Sequence, residues 1–171
     1  MDDQRNLYVS HPDSARRYQI GDKQGTHVAG GNGQGSGLNQ LNEPRYAFVD
    51  RQQTVYVSDC FNHRVMKWNK GATEGIVVAG GHGKGNALNQ LAFPNGLFVD
   101  TLGTLYATEF RNDRVMRWPK GATQGTVIVG GNGKGGGANQ LSYPTGMSFD
   151  SQGNFYVADK LNHRVQRFSI Q

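Results

Sequence analysis

The chain has 171 residues, with 18 Lys and Arg against 13 Asp and Glu and a net charge of +5. The positive charges are spread along the sequence without a basic tail, which permits an acidic partner but does not demand one. A single cysteine, Cys60, excludes an intramolecular disulfide framework and a cysteine-rich zinc site, and leaves the cytosol only slightly favoured. The first residues, Met1 to Asn6, are acidic where a secretory signal is basic and then apolar. No stretch approaches the ~18 apolar residues of a membrane span.

The dominant signal is self-similarity at a period of fifty residues. Asn39-Gln40-Leu41, Asn89-Gln90-Leu91 and Asn139-Gln140-Leu141 precede Pro44, Pro94 and Pro144, and then Asp50, Asp100 and Asp150. A fixed period means that each unit is one supersecondary module, stabilised by stacking on its neighbours. Of the 25 glycines, 15 fall in residues 30–37, 80–87 and 130–137, which marks one recurring loop.

Taken in chain order, residues 2–20 overlay residues 50–68 with an offset of 48. This sets Asp2 on Asp50, Leu7-Tyr8-Val9-Ser10 on Val55-Tyr56-Val57-Ser58, and Arg16 on Arg64. The central unit shows the elements most clearly. Leu97–Val99, Leu105–Thr108, Arg114–Trp118 and Thr126–Val129 have strand character, separated by Asp100-Thr101-Leu102-Gly103 and Lys120–Gly125. No helical period of useful length occurs, so the unit reads as a four-stranded antiparallel meander, a to d, which is a propeller blade. Leucine-rich and ankyrin units are shorter and contain helix. A calcium-binding β-helix needs aspartates that Gly130–Gly135 lacks.

The pattern Pro144-x-Gly146-x-x-x-Asp150-x-x-Gly153-Asn154-x-Tyr156-Val157-Ala158-Asp159-x-x-Asn162-x-Arg164-Val165 resembles the NHL repeat, and it recurs at 44–68 and 94–118. WD blades would show a Trp-Asp dipeptide, and kelch blades spaced aromatics after the glycine doublet; both are missing. The expected fold is therefore an all-β β-propeller of four-stranded antiparallel blades, about 3.5 of them in an incomplete ring. The division is a partial blade 1–31, blades 44–81 and 94–131, and a partial blade 144–171, with strand order bcd, abcd, abcd, abc. Three arrangements answer to this: a fragment of a longer protein, chains that pair through open blade edges, or an irregular four-bladed closure.

Asp59 with Arg64, Glu109 with Arg114 and Asp159 with Arg164 bracket the b–c turn and are expected to be structural ion pairs, because a catalytic carboxylate would not need a copy in every blade. His63, Asp113 and His163 share one repeat position, and the resemblance extends to an amidating lyase that binds zinc through propeller histidines. Equivalent turns on neighbouring blades diverge too far for a common metal, so no metal, cofactor or catalytic residue is expected. The glycine loops lack the Lys-Ser or Lys-Thr of a phosphate loop. The serines carry no nucleophile elbow. Tyr56, Tyr106, Tyr156, Trp68, Trp118 and Phe168 recur in register and read as packing between blades.

Unrepeated residues are the place for a ligand. The b–c and d–a loops emerge on one face, which gathers Arg45, Lys84, Arg111, Lys134 and Lys160 against Glu43 and Asp113. The candidate binding residues there are Phe61, His63, Lys84, Phe110, Arg111, Lys134, Lys160 and Leu161. The expected function is a non-catalytic module binding a protein or peptide. The resemblance implies a role as the partner-recognition part of a larger protein such as a ubiquitin ligase. Single-stranded RNA on the basic face and a zinc-dependent lyase fragment are the alternatives.

Overall fold

The computed structural model describes residues 6–169, so the alignment of Asp2 on Asp50 and the assignment of Gln171 as the end of the last blade lie outside the described residues. Fourteen strands among these residues form four antiparallel sheets. The first blade holds β1 (Leu7–His11), β2 (Ser14–Tyr18) and β3 (Thr26–Gly30). The second holds β4 (Tyr46–Val49), β5 (Val55–Asp59), β6 (Arg64–Trp68) and β7 (Ile76–Gly80). The third holds β8 (Pro94–Val99), β9 (Leu105–Glu109), β10 (Arg114–Trp118) and β11 (Thr126–Gly130), and the fourth β12 (Pro144–Phe149), β13 (Asn154–Asp159) and β14 (Arg164–Ser169). Each sheet is a meander of neighbours in sequence, and the four stand as a partial propeller ring. None of its elements is a helix long and apolar enough to cross a membrane among the described residues.

The core lies between blades. Alternate strand residues point to opposite sheet faces, so each inner blade needs apolar residues on both. Val55, Val57, Met66 and Trp68 of the second blade close over Ala15, Ala29 and Leu41. Val65 and Ala79, on its other face, meet Leu97, Leu105, Met116 and Trp118 of the third. Val115 and Val129 meet Leu141, Phe155 and Val157 in the same manner. The repeated leucines Leu41, Leu91 and Leu141 are fully buried, so every glycine loop is pinned by an apolar plug. Removing such a plug costs about 2–5 kcal/mol.

The register of the first blade departs from the offset of 48. That offset holds in β1, but His11 pairs with Ser14 as Asp59 pairs with Arg64, so Ser14, not Arg16, takes the place of Arg64. The b–c connection here is only Pro12-Asp13, two residues shorter than Cys60–His63. The first blade therefore has neither the short 3-10 turn nor the Asp–Arg pair of the second.

Candidate functional site

Three devices hold the loops at the b–c end of the blades. The first is the ion pair with its asparagine. Arg64 Nε donates to Asp59 Oδ2 at 2.7 Å, and its Nη atoms donate to the carbonyls of Ser36, Gly37 and Gln40. Asn62 donates to Asp59 Oδ2 and to the Gly35 carbonyl, and Asp59 Oδ1 accepts the Asn42 N–H. The same clip recurs with Glu109, Asn112 and Arg114 on residues 85–92, and with Asp159, Asn162 and Arg164 on residues 135–142.

Burial pushes the Asp59 and Glu109 carboxyls up despite these donors. At Asp159 burial also raises the value, but Asn162, the Ser142 N–H, Arg164 and Gln166 outweigh it and leave the carboxyl below its ordinary range. The Arg64 and Arg114 side chains are only 7% exposed. Arg164 is 31% exposed.

The second device closes the glycine loop on itself. Gln40 and Gln140 each accept a glycine N–H and donate to an asparagine carbonyl across the loop, and Gln90 donates likewise to the His82 carbonyl. Gly35, Gly85 and Gly135 sit where a Cβ would run into these glutamine side chains, which is why the position takes glycine. Short parallel bridges then set Gln34, Lys84 and Lys134 beside Leu41, Leu91 and Leu141. A lysine at the loop tip thus stands opposite a buried anchor, and its backbone is fixed.

The third device joins one blade to the next. His63 Nδ1 accepts the Phe93 N–H at 3.3 Å, and Asp113 Oδ1 accepts the Tyr143 N–H at 2.7 Å. His63, Asp113, Phe93 and Tyr143 all have left-handed backbones, with φ between 49° and 54°. That conformation is uncommon for any residue bearing a side chain and doubly so before proline, where Phe93 and Tyr143 stand. Glu43 and His163, at the equivalent positions, share it, so this conformation belongs to the repeat framework and persists where the surroundings hold it.

These devices bring most of the candidate residues together around two rings that sequence reasoning passed over. At the junction of the second and third blades, Phe61 and His63 present edges to Phe93, at 5.5 and 4.5 Å between centroids, and Lys84 Nζ lies 5.2 Å from the Phe93 centroid. At the next junction Phe110 stacks on Tyr143 at 4.5 Å and 15°. Lys134 Nζ is 4.3 Å from the Tyr143 centroid and Lys160 Nζ is 5.8 Å from that of Phe110. Arg111 lies over both rings and donates to the Tyr143 hydroxyl at 3.1 Å.

Leu161 is exposed beside this group, its N–H bonded to the Ser142 carbonyl. Arg45 stands apart, 3.9 Å from Glu43. His63 and Asp113 serve separate junctions, and the described residues hold no cluster of three or more His, Cys, Asp or Glu able to bind a metal. Phe93 and Tyr143 carried a sequence signal that the repeat comparison makes visible: position 43, 93, 143 reads Glu, Phe, Tyr before an unvarying proline.

Residues 141–168 match the family described as the NHL repeat. Among solved structures, the chain is similar to an auxiliary nutrient binding protein from Bacteroides thetaiotaomicron VPI-5482, at 14% identity and a TM-score of 0.72, covering 96% of this chain and 45% of that one. It is similar to a structural genomics protein from the same strain, at 19% identity and TM-score 0.70, covering 95% and 44%. A chain of the nidogen/laminin complex gives 19% identity and TM-score 0.65, covering 91% and 52%. The chain spans about half the length of these structures. At such identities the likeness is one of fold. No curated protein matches the sequence.

Proposed function

We propose that this NHL-repeat propeller arc is a non-catalytic interaction module that binds a protein or peptide on the face built by its b–c and d–a loops. The observation that carries this reading is the pair of aromatic clusters at successive junctions, one under Lys84 and the other under Arg111, Lys134 and Lys160, each fixed by backbone clips. Rigid loops on a stacked scaffold lose little conformational entropy on binding. Aromatic and arginine side chains at a fixed surface are the usual anchors of an interface. Such a face suits the partner-recognition part of a larger protein, a ubiquitin ligase among them.

Selection of a random peptide library on the protein, with each enriched peptide titrated against a Phe110→Ala/Tyr143→Ala variant, tests the reading. Enriched peptides should lose about tenfold or more in affinity on the variant, while its melting temperature stays within a few degrees. Peptides indifferent to the two substitutions would remove the loop face from consideration. A selection that enriches nothing would remove peptide binding.

A further inference from the structure

Lys84, Arg111, Lys134 and Lys160 carry the outward chemistry of the loop face, and no carboxylate among the described residues lies within ion-pair distance of any of them. The nearby acids are committed: Asp113 to the Tyr143 N–H, Asp59, Glu109 and Asp159 to their arginines, and Glu43 to Arg45. The rings beneath are engaged too, with Phe61 left half exposed. Phe110 and Tyr143 cover one another, Phe61 and His63 abut Phe93 at interplanar angles of 87° and 83°, and the cations sit over these rings. Single-stranded nucleic acids combine backbone phosphates on a positive groove with bases stacked on free aromatic faces. This surface offers ammonium and guanidinium donors with most of the ring area beside them covered, which leaves few platforms for bases.

The two clusters adjoin, because the Phe110 and Arg111 N–H groups donate to the carbonyls of Phe93 and Ala92. One junction earlier the pattern stops. Gln34 replaces the lysine and Glu43 the aromatic, and Gln34 Nε2 bonds the Pro12 carbonyl and Glu43 Oε1. The result is a strip of like charges from the second blade to the fourth, bounded on one side by an acid. Cations held near one another repel, ring quadrupoles offset that only in part, and an anionic ligand relieves the rest.

We propose that the strip binds an extended acidic peptide, with Asp or Glu side chains seated at the Lys84 cluster and at the Arg111, Lys134, Lys160 cluster. This rests on the loop-face reading above and names its ligand class. Fluorescence anisotropy with three labelled probes tests it: an alternating Glu-Gly peptide, its Gln-Gly counterpart, and an oligouridylate of similar length. Two variants remove the same charge from opposite ends of the blades, K134Q/K160Q on the loop face and K70Q/K120Q in the c–d turns.

The Glu-Gly peptide should bind and the Gln-Gly peptide should not. K134Q/K160Q should weaken binding by about tenfold or more, the loss of charge-assisted hydrogen bonds, and K70Q/K120Q should change it little. Equal losses in the two variants would overturn the proposal in favour of unlocalised attraction. Tighter binding of oligouridylate, reduced by K134Q/K160Q, would replace the peptide by RNA. Equal binding of both peptides, or of neither, would overturn the acidic class and leave the loop face to the library selection.

Discussion

Phe93 and Tyr143 hold a left-handed backbone because the preceding blade grips their N–H groups, so the orientation of each ring is set by a residue thirty positions earlier, His63 or Asp113. For His63 that grip requires an unprotonated Nδ1. Burial, with Lys84 beside it, holds its imidazole below the ordinary histidine value. The neutral form is therefore favoured by folding: its contribution is complete above the unfolded pKa of about 6.5 and is lost as pH falls through the depressed folded value. His63→Asp installs the acceptor that Asp113 already provides, and its melting temperature should fall less than the parent's between pH 7.5 and pH 5.5, by differential scanning calorimetry. An identical pH slope would mean that the Phe93 contact carries no linkage. Phe93→Gly relieves the backbone strain while deleting the ring. Stability should change by less than about 1 kcal/mol in chemical denaturation, and affinity for library-selected peptides should drop.

The arginine clips act on elements, since each ties a c strand to the glycine loop that runs into its own blade. Arg114→Ala leaves Glu109 buried without its cation and frees the carbonyls of Asn86 and Ala87. A loss of about 3–5 kcal/mol is expected in urea unfolding. Arg164→Ala should cost clearly less, because that guanidinium is already partly solvated; equal losses would contradict the burial argument. Gly80→Ala should destabilise by about 2 kcal/mol or more, since φ is 68° and a Cβ would collide with the His63 carbonyl.

Strand positions and the b–c ion pairs were legible because strand alternation and turn chemistry are local. The register of β2 was not. A two-residue deletion in the b–c turn shifts everything after it, and aligning on Arg16 preserved charge where the chain had preserved Tyr18-Gln19-Ile20-Gly21 against Trp68-Asn69-Lys70-Gly71. Phe93 and Tyr143 stood out as unrepeated residues before a repeated proline, but their ring contacts were hidden because the partners lie one blade away.

For the whole molecule, stability is a sum over blades and the interfaces between them. The second and third blades are covered on both faces, and β9 is buried at every position. On β14 burial alternates, and Val165 is 68% exposed where Val65 and Val115 are fully covered. Amide exchange should therefore be slowest in β9 and β10 and fastest in β14, since opening free energies follow local burial. Uniform protection across the four sheets would mean that the arc opens only as one unit.

The clips also have a consequence for variation. Arg64, Arg114 and Arg164 hold the glycine loops through main-chain oxygens, whatever side chain stands there: Ser36, Asn86 and Gly136 are grasped alike. The grip is thereby uncoupled from the side chain at that position. The positions that face outward, Phe61, Lys84, Phe110, Arg111, Lys134, Tyr143 and Lys160, form a ready set for randomisation, and recognition can be rewritten there while the blades beneath stay as they are.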